Sequence, residues 1–299
     1  MATTVPTHGK YAAIYALRPN GFVGVGVNDV TWGLVATDIS SVYYTVTIDA
    51  EAAPDTFVWA AVGSSGGGAA GVPITGAAVA LEEDQTILHV GTDNHTLSDK
   101  WVLGNLFAEP CTVDGSTAQI TDVLFQMLNP NAPPTFTPTN AVDLVSINYT
   151  NGMATFNGAP GVTTVAGNNG VIVKSALQQV GYLIDWNLSV NLDMADASRS
   201  GQEWKESLPG QASASGGASA YFVPTQTLWN CLADTIASGQ KYFLLQLYTY
   251  DPDGDQTGDH RNVWVTFNDW NVNTSIGDVV KESLSFQVYG AMSANIDNV

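Results

Sequence analysis

The sequence predicts a mainly β protein: an antiparallel β-sandwich or barrel with one short flanking helix, plus a small β-sandwich module at the N-terminus. Three observations predict it. Apolar and polar residues alternate over many short segments, the period expected of half-buried strands. Glycine occurs 29 times among abundant Thr, Ser and Asn, which punctuates the chain with turns. One stretch, from Val180 to Leu192, alternates without a break and would extend about 40 Å, far beyond an average strand.

In chain order, the first strand signals are Val42–Ile48, Thr56–Trp59, Thr86–Val90 and Lys100–Leu103, each bounded by Gly, Asp or Pro. That spacing suits a small β-sandwich. Gly63 to Gly71 is made of small residues and reads as a flexible hairpin loop. Ala118 to Leu128 fits a helix or a strand equally. Asn129 to Pro138 holds four prolines and reads as an extended spacer with no helix or strand interior. Beyond it lies the long strand, with Val180, Tyr182, Ile184, Trp186, Leu188, Val190 and Leu192 on one face and Asp185, Asn187, Ser189 and Asn191 on the other. A strand so long and polar on one side suits a curved sheet or closed barrel. Ala195 to Ser219 reads as a loop, too rich in Ser, Gly and Ala to order itself. A strand at Ala220–Phe222 and an amphipathic helix over 226–238 follow, the helix capped by Thr225 or Thr227 and ended by Gly239. Tyr242–Tyr250, Asn262–Phe267 and Leu284–Tyr289 read as strands. The domains expected are a module over 1–130, a Pro-rich linker over 131–140, and a second domain over 141–299. Residues 1–35 are compatible with either domain.

Charge narrows the function. The formal net charge is −19 and only 12% of residues are charged, about half the usual share. With no run of Lys or Arg, the chain cannot hold phosphates by counterion release, which argues against specific nucleic-acid binding. So sparse a charge implies a surface partly covered by neighbours. Cys111 and Cys231 lack any metal-binding spacing and read as buried free thiols. The first residues lack the charged-then-apolar pattern of a signal peptide, and no apolar run reaches transmembrane length. No membrane association is expected.

Catalytic and metal signals are weak. Asp251, Asp253, Asp255 and Asp259 alternate with Gly in the oxygen-rich manner that suits Ca²⁺. The EF-hand pattern fails, since Asn262 stands where its closing Glu belongs, and a polar hairpin explains the segment as well. His8, His89, His95 and His260 show no ligand spacing and read as surface or turn residues. The Gly24–Gly26 and Gly66–Gly68 segments lack the Lys and the strand–turn–helix setting of phosphate loops. No nucleophile motif is present. The expectation is a protein with no enzymatic site and no cofactor.

From Val180 onward the order of features becomes specific: the long strand around Trp186, the element Glu203-Trp204-Lys205-Glu206-Ser207-Leu208-Pro209-Gly210, the helix, and the closing Ser283-Leu284-Ser285-Phe286-Gln287-Val288-Tyr289-Gly290. This order resembles the tail tube (major tail) proteins of long-tailed bacteriophages, over about residues 165 to 292. Tyr149 to Pro160 is similar to a hairpin found ahead of such domains. Thr47-Ile48-Asp49, Pro54-Asp55-Thr56-Phe57, Val72 to Gly76 and His95-Thr96 with Asp99 and Trp101 resemble an accessory β-module of phage structural proteins.

The resemblance implies a tail-tube-like sandwich or barrel whose copies form rings, hexameric in that family, stacked into a conduit that DNA crosses without specific binding. The partners implied are further copies of the chain and other tail proteins, in a virion tail assembled in the host cytoplasm. Trp204, Lys205, Glu206, Leu208, Pro209 and Gly210 are then the expected assembly interface, and Asp185 and Asp193 the candidate lumen-facing acids. The alternatives are another virion component (terminator, decoration or baseplate protein) or a receptor- or carbohydrate-binding adhesin using an exposed Trp59, Trp101 or Tyr43.

Overall fold

The computed structural model describes residues 12–18, 21–24, 28–34, 41–62, 67–81, 85–172, 176–180, 183–196, 207–222, 239–249, 251, 256, 259–273 and 279–295. Its strands are β1 (Ala13–Leu17), β2 (Phe22–Val23), β3 (Val30–Leu34), β4 (Val42–Ala50), β5 (Thr56–Val62), β6 (Gly68–Pro73), β7 (Val79–Ala80), β8 (Gln85–His89), β9 (Lys100–Asp114) and β10 (Thr117–Ile120). There follow β11 (Thr135–Pro138), β12 (Leu144–Asn148), β13 (Met153–Phe156), β14 (Thr163–Val171), β15 (Leu177–Gln179), β16 (Leu183–Asp196), β17 (Ser207–Tyr221), β18 (Phe243–Tyr248), β19 (His260–Asn273) and β20 (Lys281–Asn295). The protein is mainly β, and all its strand pairs are antiparallel among the described residues. The helix expected over 226–238 lies outside those residues.

Three sheets form. A seven-stranded sheet runs β15-β1-β18-β19-β20-β17-β16. A ten-stranded sheet has β12-β13-β10-β9-β4-β5-β6 as its path, with β2, β11 and β14 attached. A small sheet, β3-β8-β7, completes the set. In the module the alternation is realised directly: Val42, Tyr44, Val46 and Ile48 of β4 are buried beside Phe57, Ile87 and Trp101.

Strand β9 is the hub of the ten-stranded sheet. Its first part pairs with β4 (Val46 opposite Trp101), and its second part with β10 and β14 (Thr163 opposite Cys111). Pairing therefore crosses the expected linker, because β10 also joins β13 and β14 joins β11. The Pro-rich stretch is not an unstructured spacer. Thr135–Pro138 is a strand in register with Thr163–Ala166, tolerated because β11 lies off the main path of the sheet, where a Pro costs no central ladder bond. Just before it, Asn131 donates to the Tyr242 carbonyl at 2.7 Å and accepts from the Lys241 and Tyr242 amides at 3.0 Å each. Residues 13–17, at the other end of the chain, pair with β15 and β18, so this N-terminal segment belongs to the seven-stranded sheet.

Two other expectations change. Ala118–Leu128 divides into β10 and a single 3-10 turn, Val123–Phe125, capped by the Asp122 carboxylate. The Gly/Ser/Ala segment before Tyr221 is a 15-residue strand, β17, rather than a loop. Its small residues are what its neighbours require: a Cβ on Gly216 would run into the Asn187 carbonyl and the Phe286 ring. Likewise Gly68 to Gly71, expected in a loop, lies in β6 against β5.

The seven-stranded sheet curls. Ile14 of β1 and Leu245 of β18 share one core with Ala218 of β17 and Phe286 of β20, although β19 and β20 separate these strands in the sheet. Register shifts in β19 after Asn262 and after Phe267 supply the bend. On the other side of β1 and β18, a second cluster joins Tyr15, Leu244, Tyr248 and Trp264 to Ile172, with Met127 and Tyr149 packed against it. Strand β18 is consequently buried on both faces, with all six residues inside. One turn of the ten-stranded sheet needs glycine for two reasons: Gly152, between β12 and β13, has φ +67°, and a Cβ there would come 2.8 Å from Gln126 Cα.

Candidate functional site

Strands β16, β17, β19 and β20 are 14, 15, 14 and 15 residues long, and they create the surface that distinguishes this chain. Register fixes their faces. Trp186 lies opposite Ala218, Ala218 opposite Leu284, and Leu284 opposite Trp270. These side chains turn toward the curled core, where Trp186 donates its indole N–H to the Tyr248 carbonyl at 3.3 Å.

The apolar row of β16 outruns that core. Trp186 and Leu188 are half-buried, but Val190 and Leu192, further along the same face, are 58% and 50% exposed. Their partners across the ladder are Ala214 and Ala212, too small to cover them. A groove of about 540 Å³ opens here, lined by Val190, Asp193, Ala214, Gln287, Val288 and Met292. Its floor is apolar and its rim polar. Among the described residues, β16 is also the last strand of its sheet, so its outer edge offers backbone groups to another strand.

The opposite face is mostly polar. Asp185, Asn187, Ser189 and Asn191 of β16 are exposed, and Ser219, Gly217, Ser215 and Ser213 stand opposite them. Next come Ser283, Ser285 and Gln287 of β20, then Asp269 and Asn271 of β19. The Ser219 hydroxyl donates to Asp185, Asn187 accepts from the Gly217 amide at 3.0 Å, and Asn271 donates to Asp269 at 2.7 Å. Among the described residues, two carboxylates, Asp185 and Asp269, and one cation, Lys281 at the end of the ladder beside Asn273, make this face weakly acidic.

The expected site residues divide. Asp185 lies on the acidic face, whereas Asp193, past the register shift after Leu192, lines the groove beside Val190. The backbone of Leu208 and Pro209 pairs with Ala195 and Met194 at the far end of β16 and β17, and Gly210 continues the strand. Trp204, Lys205 and Glu206 lie outside the described residues, as do Asp253 and Asp255. Asp251 is buried and accepts a hydrogen bond from the Tyr15 hydroxyl at 2.6 Å, while Asp259 is exposed. Cys111 is half-buried and free; burial and the nearby Glu109 push its thiol up to about 11.

Two sequence readings are overturned. Trp59 and Trp101, taken as exposed sugar-binding aromatics, are 8% and 0% exposed, because both fill the core of the module. His89, His95 and His260, taken as surface residues, are buried. The module encloses the first two among Phe57, Trp101 and the carboxylates of Asp29 and Asp55. The available signal was that His89 and His95 flank one tight turn.

No family model matches the sequence, and no curated protein matches it. Similar solved structures include a chain of the tail of an empty gene transfer agent particle (18% identity, TM-score 0.33, 40% of this chain and 87% of that one). A chain of the anti-feeding prophage baseplate follows (10% identity, TM-score 0.34, 41% and 86%). The SPP1 tail tube is a third (12% identity, TM-score 0.33, 57% and 80%).

Proposed function

We propose that the chain is a structural subunit of a phage tail tube, assembling with its own copies into stacked, sixfold rings around an acidic DNA conduit. The observation that carries this reading is the construction of β16. It is a 14-residue edge strand with uncovered apolar residues on one face and a weakly acidic face on the other. A second copy pairing along that edge would extend the sheet, and copies repeating the contact would close a ring. Val190 and Leu192 would then be covered by the neighbouring subunit. The polar face would line the lumen, where Asp185 and Asp269 repel phosphate over about 10 Å at physiological salt and the described residues offer no cationic stripe to hold it. The sequence resemblance to tail tube proteins agrees with this use of the sheet.

Within this reading the tube unit is the seven-stranded sheet, built from β1 and β15–β20, and the module comprises β2 to β14. Negative-stain microscopy of the purified chain tests the function. Rings or tubes with a central channel are the expected result. Isolated particles at every concentration, including with preformed tails as seeds, would refute it.

A further inference from the structure

Asp29, His89 and His95 are distant in sequence, yet the fold brings them to one point. Asp29 precedes β3, His89 ends β8 opposite Val30, and His95 lies in the connection to β9. His95 Nε2 is 3.2 Å and His89 Nδ1 3.6 Å from the same oxygen, Asp29 Oδ1. The ligating atoms of the three residues all lie within 4.8 Å of one another. The histidine side chains are 2% and 0% exposed, and that of Asp29 is 12%.

The surrounding bonds orient the group. The Gly91 amide donates to Asp29 Oδ2, leaving Oδ1 for the histidines. His95 Nδ1 is 3.1 Å from Asp55 Oδ2, and Asp55 is itself held by the Ala52 and His95 amides. With the Nδ1 proton given to Asp55, His95 Nε2 turns a lone pair toward the Asp29 carboxylate, so a cation belongs between them. A proton would satisfy that pair alone. It would leave His89, whose two ring nitrogens have no hydrogen-bond partner, bare inside the core, a costly state for a buried polar ring. A metal ion satisfies all three groups together. Tetrahedral zinc, at about 2.0–2.2 Å from nitrogen and oxygen, spaces its ligand atoms about 3.4 Å apart, between the two separations observed.

We propose that Asp29, His89 and His95 form a site for a divalent metal of the zinc class, which staples β3 and β8 to the connection leading into β9. Asp55 is the carboxylate that fixes the tautomer of His95. Three protein ligands leave a fourth position to a solvent oxygen, on the side where Asp29 keeps its exposure. Phe57 and Trp101, with ring centroids 5.3 and 5.0 Å from that of His89, hold its imidazole in place.

The test uses the full chain, stripped with a chelator and titrated with Zn²⁺ against a chromophoric competitor, and separately with Co²⁺. One equivalent should bind, Co²⁺ should show the visible bands of four-coordination, and saturation should raise the melting midpoint by about 5 °C or more. Asp29→Asn and His89→Phe, which keep shape and packing, should each abolish stoichiometric binding, and Asp55→Asn should weaken it about 10–100-fold. A folded wild-type chain that binds no Zn²⁺, or binding unchanged in both ligand variants, would overturn the site. If both variants fail to fold, as read by circular dichroism, the wild-type Co²⁺ spectrum decides: without four-coordinate bands the proposal fails.

Discussion

The module and the seven-stranded sheet solve the burial problem in opposite ways. The module closes on itself: Tyr44, Phe57, Trp59, Trp101 and Ile87 fill one interior, and its buried carboxylates and histidines are used locally. The seven-stranded sheet is finished at one end only. Around β1 and β18 both faces are covered, whereas the far half of β16 leaves Val190 and Leu192 in water. The module exposes apolar side chains too, Val90 and Val123 among them, but Val190 and Leu192 continue one row beside a groove, and such a patch is shaped for a neighbour.

The largest effect expected from this contrast is in the module. Trp101→Ala removes a fully buried indole and should cost about 3–5 kcal/mol, read as loss of the module's share of a calorimetric unfolding curve. If the two regions are independent, the transition of the seven-stranded sheet should stay in place. A single shifted transition would show that the bonds of Asn131 to Tyr242 and the packing of Met127, Tyr149 and Ile172 against β1 and β18 couple them.

Next comes assembly. Val190→Asp with Leu192→Asp places charge on an exposed row, so the monomer should keep its unfolding free energy within about 0.5 kcal/mol while rings or tubes disappear from micrographs. Normal tubes from this double variant would remove β16 from the interface. Trp204→Ala should likewise block assembly while the monomer stays folded, as expected of a buried anchor in a subunit contact.

A smaller effect concerns the acidic face. Asp185→Lys with Asp269→Lys should leave assembled tubes intact but make them retain DNA, with a salt dependence that the wild type lacks. Tubes that bind DNA no better after both changes would place this face away from the lumen.

The sequence made much of this comparison legible. Alternation marked β4 and β16 because one face of each packs on large side chains. It could not mark β17, whose Ala212, Ala214 and Gly216 have no strand preference of their own and owe their conformation to Phe286 and Trp186 across the ladder. Nor could it show that Thr135–Pro138 finds a partner in β14, since that pairing depends on a segment past a hairpin. The site followed the same rule. The exposure of Asp185 was readable from period two, and the register shift before Met194 that carries Asp193 to the groove was not; the meeting of Asp29 with His89 and His95 depends on β3 lying beside β8, a pairing that no local spacing records.

The smallest expected effect separates the two faces of β20. Glu282 is 2% exposed on the core side, opposite Ala220 and Val272. Burial raises its pKa, and the bond from the Trp270 indole, 3.3 Å away, only partly opposes that rise. Because the folded-state pKa lies above the unfolded one, the folded chain holds the proton more tightly. This contribution to stability is fully present below the unfolded value, near 4.5, and is lost as pH rises through the folded value. At neutral pH the buried carboxylate is therefore a cost. Glu282→Gln keeps an acceptor for Trp270 without the charge, so it should raise the melting midpoint slightly at pH 7 and make no difference near pH 4. Ser283, its neighbour on the polar face, has no charge to lose, and Ser283→Ala should show no such pH dependence. A midpoint for Glu282→Gln that falls at pH 7, or that differs from wild type equally at both pH values, would mean that the Trp270 bond outweighs burial and that this end of the sheet is wetter than its packing suggests.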